Sequence, residues 1–218
     1  MIIKVKTKAL LLISLCLINF SIKSQIVKST YVKNGNIFIQ YDNGNYNQIT
    51  YQSFDTLPSL SKNNNFVIYL RTIRDSSMSE EGNKETKIMR YNIANSTESV
   101  LVQGCKRDGS GSSGFSYANS NDYPFSDLCN IYNLQLSYDG QRIYFQTEAW
   151  VVSSAIHYYD IPSGKQFFFH AGDLKKVLPD GNLLISITGI EQGKGRYWQD
   201  WVYDKIGRPI RSNGKKEY

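Results

Sequence analysis

The sequence predicts an all-β chain of about four antiparallel, four-stranded units, and three observations carry that expectation. Short runs rich in Ile, Val, Tyr and Phe are separated by turn chemistry at Asn34-Gly35, Asp139-Gly140, Ser163-Gly164 and Asp180-Gly181. No stretch sustains a helical period. A single pattern, a turn leading into an apolar strand, recurs three times: at Ser61 to Tyr69, at Ser137 to Phe145 and at Leu178 to Ser186.

Taken in order, Gln25 to Thr50 supplies a partial unit from Val27 to Val32, Ile37 to Tyr41 and Tyr46 to Thr50. The first full copy turns at Asn63-Asn64 and continues as Phe66 to Leu70. Two insertions then interrupt the chain, Arg74 to Lys87 and Gly104 to Leu128, and they account for the long interval before the second copy. That copy runs from its turn into Arg142 to Trp150, then Ala155 to Ile161 and Gln166 to His170. Asp139 and Asp180, at the last two turns, stand 41 residues apart, close to the length of one repeating four-stranded unit. Phe66 to Leu70 and Leu183 to Ile187 are apolar at successive positions, which requires burial on both faces and therefore a neighbouring sheet on each side.

Ser137-Tyr138-Asp139-Gly140-Gln141-Arg142-Ile143-Tyr144-Phe145 resembles the Ser-Pro-Asp-Gly-Lys-Arg-Ile-Ala-Phe signature of the TolB-like, or PD40, β-propeller repeat family. The first copy has Asn63-Asn64 for Asp-Gly, and the third keeps Pro179-Asp180-Gly181 without the leading Ser. The resemblance covers roughly Asp55 to the C-terminus and implies propeller blades. Full propellers of that family have six blades, so its partners and role do not transfer directly. A closed four- or five-bladed ring, an open arc, or a twisted sandwich of the same hairpins all fit the pattern.

The formal charge of +6 falls to +2 once residues 1–24, with Lys4, Lys6, Lys8 and Lys23, are set aside. That balance predicts no nucleic-acid partner. The early lysines, the apolar run Ala9 to Phe20 and Ile22-Lys23-Ser24 read as a secretory signal peptide over 1–24, cleaved before Gln25. The apolar run is shorter than a membrane span, so no transmembrane segment is expected after cleavage. Residues 25–218 then form a single domain, periplasmic or secreted, and are expected to be monomeric. Cys16 lies inside the apolar run behind the bulky Leu15, a poor lipidation context. Cys105 and Cys129 are the remaining pair, and the oxidising compartment favours a disulfide over two thiols.

Catalytic sets are missing from the pattern. Gly109 to Gly114 fits neither a nucleophile elbow nor a phosphate loop. His157 and His170 are the only histidines, and a two-residue turn at Ser163-Gly164 would pair them. Pro162 and Gly164 instead favour a three-residue hairpin with a bulge, placing His157 opposite Phe169 and His170 opposite Ile156, so no metal or other cofactor is expected. Asn119, Asn121 and Asp122 lack the spacing of a calcium loop. Glu148, Asp160, Glu191 and Asp200 are the carboxylates that a glycan-active enzyme would have to bring together.

The leading expectation is therefore a non-catalytic exported binding protein whose partner is a protein or cell-envelope component. The alternatives are an inhibitor or immunity-type protein against an envelope enzyme, and a glycan-active enzyme. In a four-stranded antiparallel blade the second-to-third and blade-to-blade connections emerge on one edge. Arg74 to Lys87, Gly104 to Leu128, Trp150 to Ser154 and Ile190 to Arg196 would then share an edge. Tyr117, Tyr123, Phe125, Trp150, Tyr197 and Trp198 would supply aromatic anchors there, beside the acidic Glu80, Glu81 and Glu85.

Overall fold

The computed structural model describes residues 26–74, 84–106, 128, 130–150, 153–191 and 195–217. The first sheet contains β1 (Val27–Lys33), β2 (Asn36–Tyr41) and β3 (Tyr46–Gln48). The second is β4 (Asp55–Leu60), β5 (Phe66–Arg74), β6 (Lys84–Asn92) and β7 (Thr97–Lys106). The third is β8 (Tyr132–Leu136), β9 (Arg142–Trp150), β10 (Ser153–Asp160) and β11 (Lys165–Ala171). The fourth is β12 (Asp173–Val177), β13 (Leu183–Glu191), β14 (Gly195–Tyr203) and β15 (Pro209–Glu217). Every pairing is antiparallel and keeps chain order, as the sequence predicts.

Three apolar cores lie between successive sheets. Val27, Ile37, Ile39 and Ile49 meet Val67, Tyr69, Met89 and Tyr91 between the first and second. Ile68, Leu70, Ile88 and Val102 meet Ile131, Leu134, Ile143 and Phe145 between the second and third. Tyr144 and Ile156 meet Leu174, Val177, Leu183, Ile185 and Tyr203 between the third and fourth. Successive residues of β5 thus enter different cores, because strand side chains alternate between faces. Among the described residues no core joins the fourth sheet to the first, so the blades form an arc rather than a closed ring.

The repeated turns explain the signature residue by residue. The Ser137 hydroxyl donates to Asp139 Oδ1 at 2.6 Å and accepts from the Arg142 amide at 2.8 Å, so it bridges the turn to the next strand. Ser61 repeats this with Asn63 and Phe66. The left-handed position falls on Gly140 and Gly181, and in the first copy on Asn64 at φ 57°. Asparagine tolerates that conformation, so Asn63-Asn64 replaces Asp-Gly without changing the turn.

Two sequence boundaries are corrected. Pairing continues to Arg74 and Lys84, so the first insertion shortens to 75–83 and Glu85 lies in β6, ion-paired with Lys87 at 3.3 Å. The second begins after Lys106 rather than Gly104.

Against the first blade, the second buries an ion cluster. Arg71 makes a bidentate pair with Asp55, at 2.7 and 3.0 Å, and reaches Glu98 at 2.9 Å. The Tyr69 hydroxyl donates to Glu98 at 2.6 Å. Innermost β4 is thereby tied through β5 to outermost β7. Burial works to raise the Glu98 carboxyl, but the hydrogen bonds from Arg71 and Tyr69 outweigh it and hold the group below the ordinary carboxylate range. Burial, and then the bond to Glu98, push the Tyr69 phenol upward. Replacing Arg71 alone strands the buried Asp55 carboxylate. Arg71→Leu should therefore cost about 3–5 kcal/mol by urea denaturation. The triple variant Arg71→Leu, Asp55→Leu, Glu98→Gln should regain much of that loss, and no recovery would mean the cluster acts mainly through packing.

Candidate functional site

Antiparallel order sorts the connections between two edges of the arc. The turns before β5, β9 and β13 share one edge with the turns after β6, β10 and β14. Residues 75–83 and 107–127 leave from the opposite edge, both from the second blade. Two of the four connections expected to be long are short. Trp150 pairs with Ser153 and Glu191 with Gly195, leaving only 151–152 and 192–194 between strands, because the ladders stay paired to their ends.

Of the expected anchors, Tyr117, Tyr123, Phe125, Glu80 and Glu81 lie outside the described residues, as does Cys129. Cys105 and Trp150 are placed by their backbones in β7 and at the end of β9. Tyr197 and Trp198 sit near the loop edge but on opposite faces of the fourth sheet, since they are consecutive on a regular strand. The Tyr197 ring lies over Gly189, where an added Cβ would come within 2.3 Å of it. Tyr197 is therefore packing material for its blade as well as a surface group. Trp198, opposite Thr188, shares the sheet face that points away from the third blade.

Sequence reasoning missed a polar chain where the third and fourth blades meet. The Tyr132 and Ser154 hydroxyls are hydrogen-bonded, and Ser154 donates to Asp173 Oδ1 at 2.8 Å. Gln146 donates to the same Asp173 oxygen at 3.3 Å, and Asn133 donates to Gln146 and to the Leu174 carbonyl. Burial raises the Tyr132 phenol, against the opposing bond from Ser154, so it stays protonated. The proton order then runs from Tyr132 to Ser154 to Asp173, which orients Ser154 as a donor to that carboxylate. The chain joins innermost β8 to innermost β12. Its one legible signal was Gln146, a polar residue inside an apolar strand.

Of the other acidic candidates, Glu148 near the end of β9 and Glu191 at the end of β13 share the loop edge, and Asp160 and Asp200 lie apart from them. Asn130 donates to Glu148 at 2.9 Å near the loop edge, whereas Asp160 ends β10 at the turn edge, caps the Ser163 amide at 3.1 Å and faces Arg142. Asp200 stands opposite Ser186 within the fourth sheet. On the turn edge, Leu60, Lys62, Leu136, Tyr138, Asp139 and Pro179 line an open recess of about 640 Å³. The edge expected to carry only tight turns therefore has relief of its own.

The histidines are held apart, with one change of register. The expected three-residue loop is a four-residue one, 161–164, closed by Asp160 and Lys165; that register puts His157 opposite Phe168, and only the bulge at Phe169 brings His170 opposite Ile156. His157 stacks on Phe145 and His170 on Tyr203, which belong to different cores. His157 is wholly buried, and its Nδ1 accepts from Gln166 at 3.0 Å. The proton is therefore on Nε2, which donates to Thr147 at 3.1 Å. Burial pushes its pKa down to about 4. Among the described residues no group of three His, Cys, Asp or Glu is placed to hold a metal ion.

No protein-family model and no curated protein matches the chain. Solved structures do. The chain is similar to Porphyromonas gingivalis dipeptidyl peptidase 4 at TM-score 0.57 and 14% identity, with 85% of this chain on 30% of that one. A tricorn protease aligns at TM-score 0.55 and 11% identity, with 84% of this chain on 21% of that one. TolB from Acinetobacter baumannii aligns at TM-score 0.49 and 14% identity, covering 81% of this chain and 37% of that one. The fold is a β-propeller arc. It spans less than half the length of each of these chains.

The buried imidazole sets a pH dependence. An unfolded chain binds a proton on His157 near its ordinary value of 6.5, whereas the folded chain does so only near 4. This contribution to stability is complete above pH 6.5 and is lost as pH falls from 6.5 to 4, by about 3 kcal/mol. His157→Gln should flatten urea-derived stability across that window, and the His157 ring proton should titrate near pH 4 by NMR. A midpoint near 6.5 would contradict the burial.

Proposed function

We propose that the chain is an exported, non-catalytic binding protein that presents the loop edge of a TolB-like propeller arc to a protein or envelope partner. The observation that carries this reading is the common exit of residues 75–83 and 107–127 from one edge of the second blade. Two insertions beside each other on a rigid scaffold make a variable surface without disturbing the blades. The described buried polar groups support it from the other side. Arg71, His157 and Ser154 are each committed to internal hydrogen bonds that hold strands together. No helix among the described residues is long and apolar enough to cross a membrane.

The working surface is tested by capture from envelope extract with the immobilised chain from Gln25 onward. Trp150→Ala and Trp198→Ala should each weaken capture at unchanged fold, whereas Asn63→Ala and Asp180→Ala on the turn edge should leave it intact. Loss confined to the turn-edge variants would move the working surface to the recess. Processing is tested separately by intact mass. The exported protein should begin at Gln25, and Cys105 should resist alkylation until a reductant opens its bridge to Cys129. Alkylation without reduction would remove the bridge from the reading.

A further inference from the structure

The first blade differs from the other three in one respect. Blades two to four each begin with an innermost strand, β4, β8 or β12, that runs antiparallel to a second strand. The first blade begins at the second position. Its β1–β2 turn lies at the loop edge, where the Gly35 carbonyl accepts from the Asp55 amide at the start of β4, so β1 runs in the same sense as β5, β9 and β13. The strand that would lie inside β1 is not among the described elements.

The exposed edge can be assigned atom by atom. Lys33 and Asn36 close a two-residue turn, so alternation directs the amides and carbonyls of Lys33, Tyr31 and Ser29 toward β2. Those of Val32 and Thr30 point the other way. Ile37, opposite Val32, confirms the phase, because its amide donates to Thr50 Oγ1 and its carbonyl accepts from Ile49 on the β3 side. Among the described residues no strand pairs with the outer groups of Val32 and Thr30. Val32 is 41% exposed while Ile37, opposite it, is fully buried, as expected where a sheet stops one strand short.

Innermost strands also have a free edge, but each is broken. Bulges interrupt β4 between Thr56 and Ser59, β8 between Tyr132 and Gln135, and β12 between Leu174 and Lys176. Pro58 removes a further donor from β4. These are devices that prevent edge pairing. β1 has its one bulge at its start, between Val27 and Ser29, and keeps an unbroken register from Ser29 to Lys33.

We propose that this edge of β1 accepts an extended segment of a partner protein, five or six residues long, antiparallel to β1 and acidic at its ends. The length and direction are those of β4, β8 and β12 against their own neighbours. Charge selects the occupant. Exposed Lys28 and Lys33 flank the edge. A second copy paired antiparallel about Thr30 would bring those lysines toward each other, whereas an acidic strand neutralises both. The second blade uses the same chemistry: β4 begins with Asp55, which pairs across to Arg71 on the neighbouring strand. The interaction is strand addition, in which backbone hydrogen bonds supply affinity and flanking side chains supply selectivity.

Amide hydrogen exchange of the purified protein with two synthetic peptides tests this. One is Ac-Asp-Thr-Val-Thr-Val-Asp-NH2 and the other replaces both aspartates by lysine. The Thr30 and Val32 amides should exchange fast in the free protein, and the acidic peptide should slow both by about tenfold or more. The basic peptide should not. Val32→Pro removes the outward donor and leaves the bonds to β2, so it should abolish protection at Thr30. The double variant Lys28→Glu, Lys33→Glu, which leaves the edge intact, should reverse the peptide preference. Equal protection by both peptides would overturn the proposal. Slow exchange of Val32 and Thr30 in the free protein would overturn it too, whether native mass shows a monomer filled by its own chain or a dimer.

Discussion

A strand with a sheet on each side has no face left for water. β5 meets this constraint most fully: Val67 and Tyr69 enter the core shared with the first blade, Ile68 and Leu70 the core shared with the third. β9 repeats it, with Ile143 and Phe145 on one side and Tyr144 on the other. The fourth blade has a described neighbour on one side only, and its β13 shows the difference. Leu183 and Ile185 are fully buried there, while Leu184 between them is only half-buried. A single blade would expose most of this apolar surface, so the blades are stable as a stack rather than one by one.

Polar groups inside such a stack must be satisfied by one another. Arg71 spans from Asp55 to Glu98 across the second blade, and the Tyr132, Ser154 and Asp173 chain joins the innermost strands of the third and fourth. His157 is neutral between Thr147 and Gln166. These groups fix the strands in register and are consumed in doing so. The edges are where connections vary without disturbing the cores.

The arc offers edges of three kinds. Long insertions leave one, repeated turns enclose a recess on the other, and the inner side of β1 presents backbone that no described strand pairs with. In the proposed readings, the first would recognise a partner by side chains on loops, the third by main-chain hydrogen bonds. Both suit a scaffold whose rigidity comes from elsewhere.

The sequence by itself determined the all-β class, a count of about four blades and the position of every repeated turn. Those features are local: apolar runs, left-handed positions at Asn64, Gly140 and Gly181, and a serine that reaches across its own turn. The opposite faces of the histidines agree with the sequence reading, but for another reason: the loop has four residues rather than three, and the bulge at Phe169 restores Ile156 opposite His170. Only the tertiary structure decided which partners the buried polar residues have. Asp55 finds Arg71 on the neighbouring strand and Glu98 lies two strands further out, while Asp173 meets Ser154 from another blade. Tertiary structure also left the first blade with no described strand inside β1. Spacing along a chain reports the period of a strand, whereas partnership between strands and between sheets depends on how whole blades stack.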